Sequence, residues 1–329
     1  MRVTPQAAHQ VSAVHACVSG IAESLAMCPI SVFERISDRE SREVKDHWLY
    51  PVLAIAATEM TDAFTWWETQ QTHVLDYGNA YAYIGAIGTG RVNSLQILDP
   101  AAMEVRTEDG RVTYRYSEGG KTKSYEPREI LHLRFNTRDG ILGRSPLQVS
   151  GQSIAIALAL QAHSASLFEN GAFFRGFVEA QHPFKTDEQR TNFLQSIIRF
   201  MRSGKVALLE QGAKFHPATM NAQDAQMDEL WKRIAIAIAR IYRMPPHMIQ
   251  ELEGGASYSS IEQQGINFVT YTILPWAKRW EIAIQAQLLR QPDFRKYYVK
   301  FNLSALLRGD LQSRTQAIVQ QIQYGLKTV

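Results

Sequence analysis

Residues 243–265 read RMPPHMIQELEGGASYSSIEQQG, and they interrupt a chain whose apolar residues recur with helical spacing on both sides. Pro245 and Pro246 stop the upstream helix, because a proline inside a helix removes a hydrogen bond and clashes with the preceding turn. Gly254 and Gly255 follow in a stretch without helical periodicity. Ser259-Ser260-Ile261-Glu262 then matches a capping box, in which serine and glutamate satisfy each other's free amides at a helix start. The sequence therefore predicts a new helix running to Leu289, with Pro275 inside it as a kink. A helix, a loop and a kinked helix result, and the rest of the chain must support those two rods.

Upstream, a helix is predicted from Asp224 to Arg243. Asp224, Asp228 and Glu229 near its start and Arg240 and Arg243 near its end complement the helix dipole. Leu230, Ile234, Ile238 and Ile241 form an apolar stripe, and Lys232, Arg233 and Arg240 lie on the opposing face. That basic face is either a solvated surface or, copied around a ring, a lining for a polyanion.

Residues 145–168, SPLQVSGQSIAIALALQAHSASLF, contain no Asp, Glu, Lys or Arg. A membrane span needs ~20 apolar residues, and the glutamines, serines and histidine here argue against one. A helix packed among other helices fits better, with neighbouring subunits supplying the partners. Between the two long helices, residues 175–218 read as strand, helix, strand, strand: RGFVEA, a helix from Thr186 to Arg202, KVALLE and KFHPAT.

The first 140 or so residues read as an α+β lobe. Apolar spacing from Gln10 to Ala26 predicts a helix ended by Pro29, and ISVFERI alternates like a strand. A second helix, Thr61 to Tyr77, has Thr61 or Asp62 as its cap and Gly78 as its stop. AYAYIGAI, SLQILD, MEVRT, VTYRYS and EILHLRF follow as strands between GTGR, EDG, EGGKT and EPRE turns. After the kinked helix come a strand, YYVKFNL, and a last helix from Asp310 to Tyr324.

The chain has 329 residues, 45% hydrophobic and 20% charged, with a formal net charge of +3. That is room for roughly two domains. It is far from the basic excess of a protein that grips phosphates along its whole surface, so any nucleic-acid contact is local. Cys17 and Cys28 are expected on one helix about 16 Å apart at ~1.5 Å rise per residue, as unpaired buried thiols in a reducing compartment. The first residues, MRVTPQAAHQVSAV, show no basic segment followed by an apolar run, so a cytoplasmic origin is expected.

No catalytic set emerges. The histidines form no HExxH, and Gly85, Gly88 and Gly90 lack the lysine and following helix of a phosphate loop, so they read as a hairpin turn. No GxSxG occurs, and Glu251 and Glu253 sit in a loop, whereas catalysis needs rigidly held groups. Arg308-Gly309-Asp310 reads as a helix cap rather than an adhesion motif. No metal and no cofactor is expected.

Seven segments in order resemble one family: VSAVHACVSGIAESLAMCPISVFER, GNAYAYI, EILHLRFNTRDGILGRSPL, FENGAFFRGFV, NAQDAQMDELWKRIAIAIARIYRMPPHMI, SSIEQQGINFVTYTILPW and FNLSALLRGDLQSR. Together they are similar to the portal proteins of long-tailed bacteriophages. The resemblance implies a multi-lobed α+β fold in which residues 1–144 are the wing, 145–172 a stem helix and 173–220 the clip. Residues 221–244 would be the second stem helix, 245–290 the tunnel loop with the long kinked helix, and 291–329 a return strand and the start of a partial crown. It implies a ring of a dozen subunits in the virion, with other numbers when the chain is made alone. The ring would sit at the capsid portal vertex after assembly in the host cytoplasm. Its partners would be double-stranded DNA without sequence preference, the terminase large subunit, head-to-tail connector proteins and capsid or scaffold proteins, with no membrane.

On this resemblance Glu251, Glu253, Gly254, Gly255, Ser257 and Tyr258 face DNA from the tunnel loop, and Lys232, Arg233 and Arg240 form a basic stripe along the channel. Family members usually carry further residues before the first helix and a longer segment after Gly325–Val329, so the chain is expected to be a trimmed or a naturally short version. A ring-forming connector without a packaging role is one rival, and a nucleic-acid hydrolase is another. The first lacks a need for the clip insert, and the second lacks an acid, base or metal set here.

Overall fold

The computed structural model describes residues 3–86, 91–108, 110–169, 176–179, 186–203, 214–217, 221–250, 258–289, 293–306, 319 and 323. It resolves into two compact units, one formed by Met1–Ile154 with Ala235–Val329 and the other by Ala155–Ile234.

In the first unit a short helix, α1 (Pro5–Ala8), is capped by Thr4, whose hydroxyl accepts the Ala7 amide. Helix α2 (Ser12–Ala26) buries Val14, Cys17, Val18, Ile21 and Leu25, the helical spacing that the sequence shows. Cys28 corrects the expectation that both thiols share this helix: α2 ends at Ala26, and the Cys28 thiol turns back to donate to the Ser24 carbonyl at 3.2 Å. Both cysteines are buried and free. Desolvation pushes Cys17 up to about 12 and Cys28 up to about 11, so both stay protonated.

Strand β1 (Ile30–Arg35) pairs with β2 (Ser41–Glu43), and helix α3 (Leu49–Ala54) leads to a small hairpin of β3 (Ala56–Thr58) and β4 (Thr61–Asp62). Helix α4 (Ala63–Tyr77) begins where Asp62 accepts the Thr65 amide at 2.9 Å and ends at Gly78, which is left-handed at φ 77°. Three of its buried side chains reach backbone carbonyls across the core. Trp66 donates to Leu95, Trp67 to Leu53 and Gln70 to Tyr81, at 2.9 to 3.0 Å.

Six strands follow: β5 (Asn79–Ala86), β6 (Val92–Leu98), β7 (Met103–Glu108), β8 (Arg111–Glu118), β9 (Lys121–Tyr125) and β10 (Ile130–Arg134). They form two antiparallel sheets, ordered β10-β5-β6 and β7-β8-β9. Tyr81, Leu98, Tyr114, Tyr116, Tyr125 and Ile130 fill the core beneath them. The sequence reads EGGKT, residues 118–122, as a turn and assigns no strand to residues 121–125. In the structure they form a mostly exposed edge strand whose one buried residue is Tyr125.

A buried polar chain locks this lobe. The Asn79 side-chain oxygen accepts the Gly143 amide at 2.8 Å and lies 3.0 Å from His132 Nε2, while its amide donates to the Gly143 carbonyl at 3.0 Å. Asn79 therefore requires a donor from His132 Nε2, which leaves Nδ1 to accept from the Tyr114 hydroxyl at 3.1 Å. Arg134 donates in turn to that hydroxyl. Burial holds the His132 imidazole well below its ordinary pKa, so it is neutral, as this pattern needs. Gln287, far along the chain, brackets the His132 backbone with one donated and one accepted bond.

Ser145 caps helix α5 (Pro146–Glu169), which departs from helical geometry at Ser150. In the second unit β11 (Gly176–Glu179) and β12 (Lys214–Pro217) pair antiparallel, with α6 (Asp187–Ser203) between them in sequence. The predicted strand KVALLE lies outside the described residues. Helix α7 (Asn221–Tyr242) starts three residues earlier than expected and carries the chain back into the first unit.

The long rod expected after the loop is two helices, α8 (Tyr258–Phe268) and α9 (Leu274–Gln287), joined by a π turn at Val269–Ile273. A short α10 (Asp293–Lys296) leads to β13 (Tyr297–Phe301), which pairs antiparallel with β1 so that Val32 faces Val299. This closing strand brings the last part of the chain back to its first strand. Of the predicted helix from Asp310 to Tyr324, Val319 and Gln323 are described and are helical, and the rest lies outside the described residues.

Candidate functional site

The interrupted rods carry the candidate site. On α7, Ile238 is fully buried and Ile234 nearly so, whereas Leu230, expected in the same apolar stripe, is exposed. On the opposite face Lys232 pairs with Asp228 at 2.8 Å and Arg233 with Glu229 at 2.6 Å, each one helical turn apart. Such exposed pairs are worth ~0.3–0.5 kcal/mol, and they match two of the three expected basic charges on the same helix. Arg240 is exposed.

The end of α7 is a Schellman motif. The Met244 amide donates to the Ala239 carbonyl at 2.9 Å and the Arg243 amide to the Arg240 carbonyl at 3.2 Å. The residue after such a helix is left-handed and usually glycine; here Arg243 takes that conformation at φ 56°. Met244, buried, packs so tightly on α2 that a Cβ at Gly20 would lie 2.9 Å from its terminal methyl. Pro245 then opens a 3₁₀ turn over Pro246–Ile249.

Two hydrogen bonds hold the stems on either side of residues 251–257. His247 Nδ1 lies 2.7 Å from the Gln264 side-chain oxygen on α8, and the Thr272 hydroxyl donates to the Arg243 carbonyl at 2.7 Å. Thr272 belongs to the π turn, whose wide hydrogen bond runs from the Leu274 amide to the Val269 carbonyl. Pro275 sits in the first turn of α9, where a residue without an amide hydrogen costs least. Glu251, Glu253, Gly254, Gly255 and Ser257 lie outside the described residues. Tyr258 opens α8.

Helix α9 is anchored along its length. Trp276 packs on Phe135 with ring centroids 4.8 Å apart, and the Arg279 guanidinium lies over both rings. Trp280 meets Trp66 and Trp67 and donates to the Gln71 side chain at 2.9 Å. Glu281, buried, accepts the Phe301 amide at 2.9 Å and pairs with Lys278 at 2.6 Å. Arg279 escaped the sequence reading, which weighed basic charges only on the preceding helix.

A roomier cleft of about 800 Å³ in the same unit is lined by Met27, Phe64, Trp67, Lys278 and Phe301, among others. Among the described residues no three His, Cys, Asp or Glu side chains converge as a metal site, and no helix is long and apolar enough to cross a membrane.

A family model described as phage portal protein matches residues 12–329. The portal protein of Enterobacteria phage HK97 is 30% identical over 326 residues, covering 97% of this chain and 77% of the relative. The probable portal protein of Streptomyces phage phiC31 is 30% identical over 345 residues, covering 99% and 74%. Two solved structures share the fold. A chain in the virion of a native gene transfer agent particle has a TM-score of 0.71 at 22% identity, covering 98% of this chain and 92% of that one. An HK97-family phage portal protein from Corynebacterium diphtheriae has a TM-score of 0.67 at 17% identity, covering 92% and 97%.

Proposed function

The chain belongs to the phage portal protein family, and on that premise we propose that it is the subunit of a portal ring at one capsid vertex, through which double-stranded DNA enters and later leaves. The match over residues 12–329, which includes both rods and the segment between them, carries this reading. We take the ring to hold a dozen copies in the virion; a related gene transfer agent neck was solved with twelvefold symmetry. Assembly would take place in the host cytoplasm.

In this reading residues 1–144 are the wing, 145–172 and 221–244 the stem helices, 173–220 the clip that meets the terminase large subunit and then head-to-tail connectors, and 245–290 the loop and kinked helix. Capsid or scaffold proteins would surround the wing. Residues 251, 253–255, 257 and 258 would face the DNA. Lys232, Arg233 and Arg240 would line the stem, and the carboxylates beside the first two would moderate their pull. A conduit needs weak contact, because each phosphate neutralised adds salt-dependent affinity and a ring multiplies it. The near-balance of charge, a net +3, and the paired stem cations support that design.

The chain would act without catalysis. Purified protein incubated with double-stranded DNA and Mg²⁺ or Mn²⁺ should leave the DNA intact. Metal-dependent cleavage that disappears when acidic residues are changed would overturn this part of the reading in favour of a hydrolase.

A further inference from the structure

Beside the end of α7 lies a notch lined by Arg243, Arg279, Phe135, Tyr271, Pro275 and Trp276. The Arg279 guanidinium stands 5.3 Å from the centre of the Phe135 ring and 5.1 Å from that of Trp276. It is held by aromatic faces rather than by a carboxylate. Among the described residues neither arginine forms an ion pair. Burial lowers the Arg279 pKa, and the positive charge of Arg243 lowers it further. Arg243 and Arg279 are both exposed, and together they place two cations at the rim of one open notch, where an anion would be drawn to both.

Arg243 supplies a second, independent observation. Its left-handed backbone, φ 56°, is a conformation that costs a residue with a Cβ roughly 1–2 kcal/mol, and glycine would meet the same hydrogen bonds without that cost. Strain of this kind points to a role for the side chain. The space also sets a size. The notch is about 60 Å³, and one water occupies ~10–15 Å³ of such volume, so a group of about five heavy atoms fits. That is the size of a tetrahedral oxyanion, and arginine forks match its oxygens in pairs.

We infer that Arg243 and Arg279 form an oxyanion site that takes one phosphate group from the backbone of a nucleic acid. The site stands on the geometry above; the source of the phosphate rests on the conduit reading. Contact of this kind positions a strand and carries no sequence information.

The assembled protein, Arg243→Gly and Arg279→Gln are heated in sodium phosphate and in sodium chloride of equal ionic strength. Binding of a double-stranded DNA fragment is followed between about 50 and 200 mM salt. Phosphate should raise the melting midpoint of the unaltered protein and of neither variant. In chloride, Arg243→Gly should melt no lower than the unaltered protein, because its strain is released, so its lost response cannot be put down to misfolding. The slope of log affinity on log salt should become shallower by about 0.9 for each arginine contact removed.

An equal phosphate response in all three proteins overturns the site. Loss of that response with an unchanged DNA slope overturns the nucleic-acid source. Variants that no longer assemble assign the arginines to a neighbouring subunit's carboxylate and also overturn the proposal. No DNA affinity in the unaltered protein, with its phosphate response intact, would be a failure of the conduit reading and not of the oxyanion site.

Discussion

Gly143→Ala should destabilise the chain by about 4 kcal/mol or more, a loss at the extreme of single substitutions. A Cβ at Gly143 would stand 1.9 Å from the Gly78 carbonyl oxygen and 2.7 Å from the Phe135 amide nitrogen. Both are backbone atoms, so no side chain can swing aside. To make room, the strand-to-helix turn must move, and with it the Phe135 amide bond to Gly78 and both Asn79 bonds to Gly143. Each buried partner left alone costs ~1–3 kcal/mol, and overpacking adds ~1–3 kcal/mol. Gly265→Ala is the control. It lies inside α8 with nothing within 4 Å of its added carbon, so it should be neutral or stabilising by up to about 1 kcal/mol. Denaturant titration of both variants checks the pair, and similar midpoints would show that the Gly78–Gly143 contact is not where the lobe is locked.

Removal of Gly254 to Ser257 should leave ring formation intact and nearly abolish packaged or retained DNA. The stems on either side have their own anchors, His247 to Gln264 and Thr272 to the Arg243 carbonyl. Trp276 and Trp280 fasten α9 to the lobe independently. Nothing in those contacts requires the deleted residues. The measurement compares particle formation with DNA content for the shortened and full-length chains. Rings that fail to form would make the segment a structural joint and remove its DNA role.

Local signals were readable where local chemistry made the structure. Asp62 and Gly78 bound α4 because a carboxylate accepts free amides and a glycine turns left-handed without cost. Pro245 and Pro246 ended α7 within a residue of the expected place. The α+β class and the order of long helices followed from such signals. Strand β9 was missed because its stability comes from pairing with β8, not from its own polar residues. Helix α3 and the β3–β4 hairpin are short enough that tertiary packing decides them.

Long-range chemistry was out of reach for the same reason. The Asn79, Gly143 and His132 chain joins positions more than 50 residues apart, and no spacing rule links them. The basic stripe was visible, but its carboxylate partners one turn away changed its electrostatic weight once the helix was built. Arg243 looked like a charge suited to a helix end. Only the backbone shows that it stands where a glycine would fit, beside an arginine from another helix.

The most direct test of the central claim is the native mass of the purified chain, taken with particle images. The account predicts a closed ring of about a dozen copies with a central opening wide enough for duplex DNA. A chain that stays monomeric, or closes as a compact dimer without an opening, would contradict it.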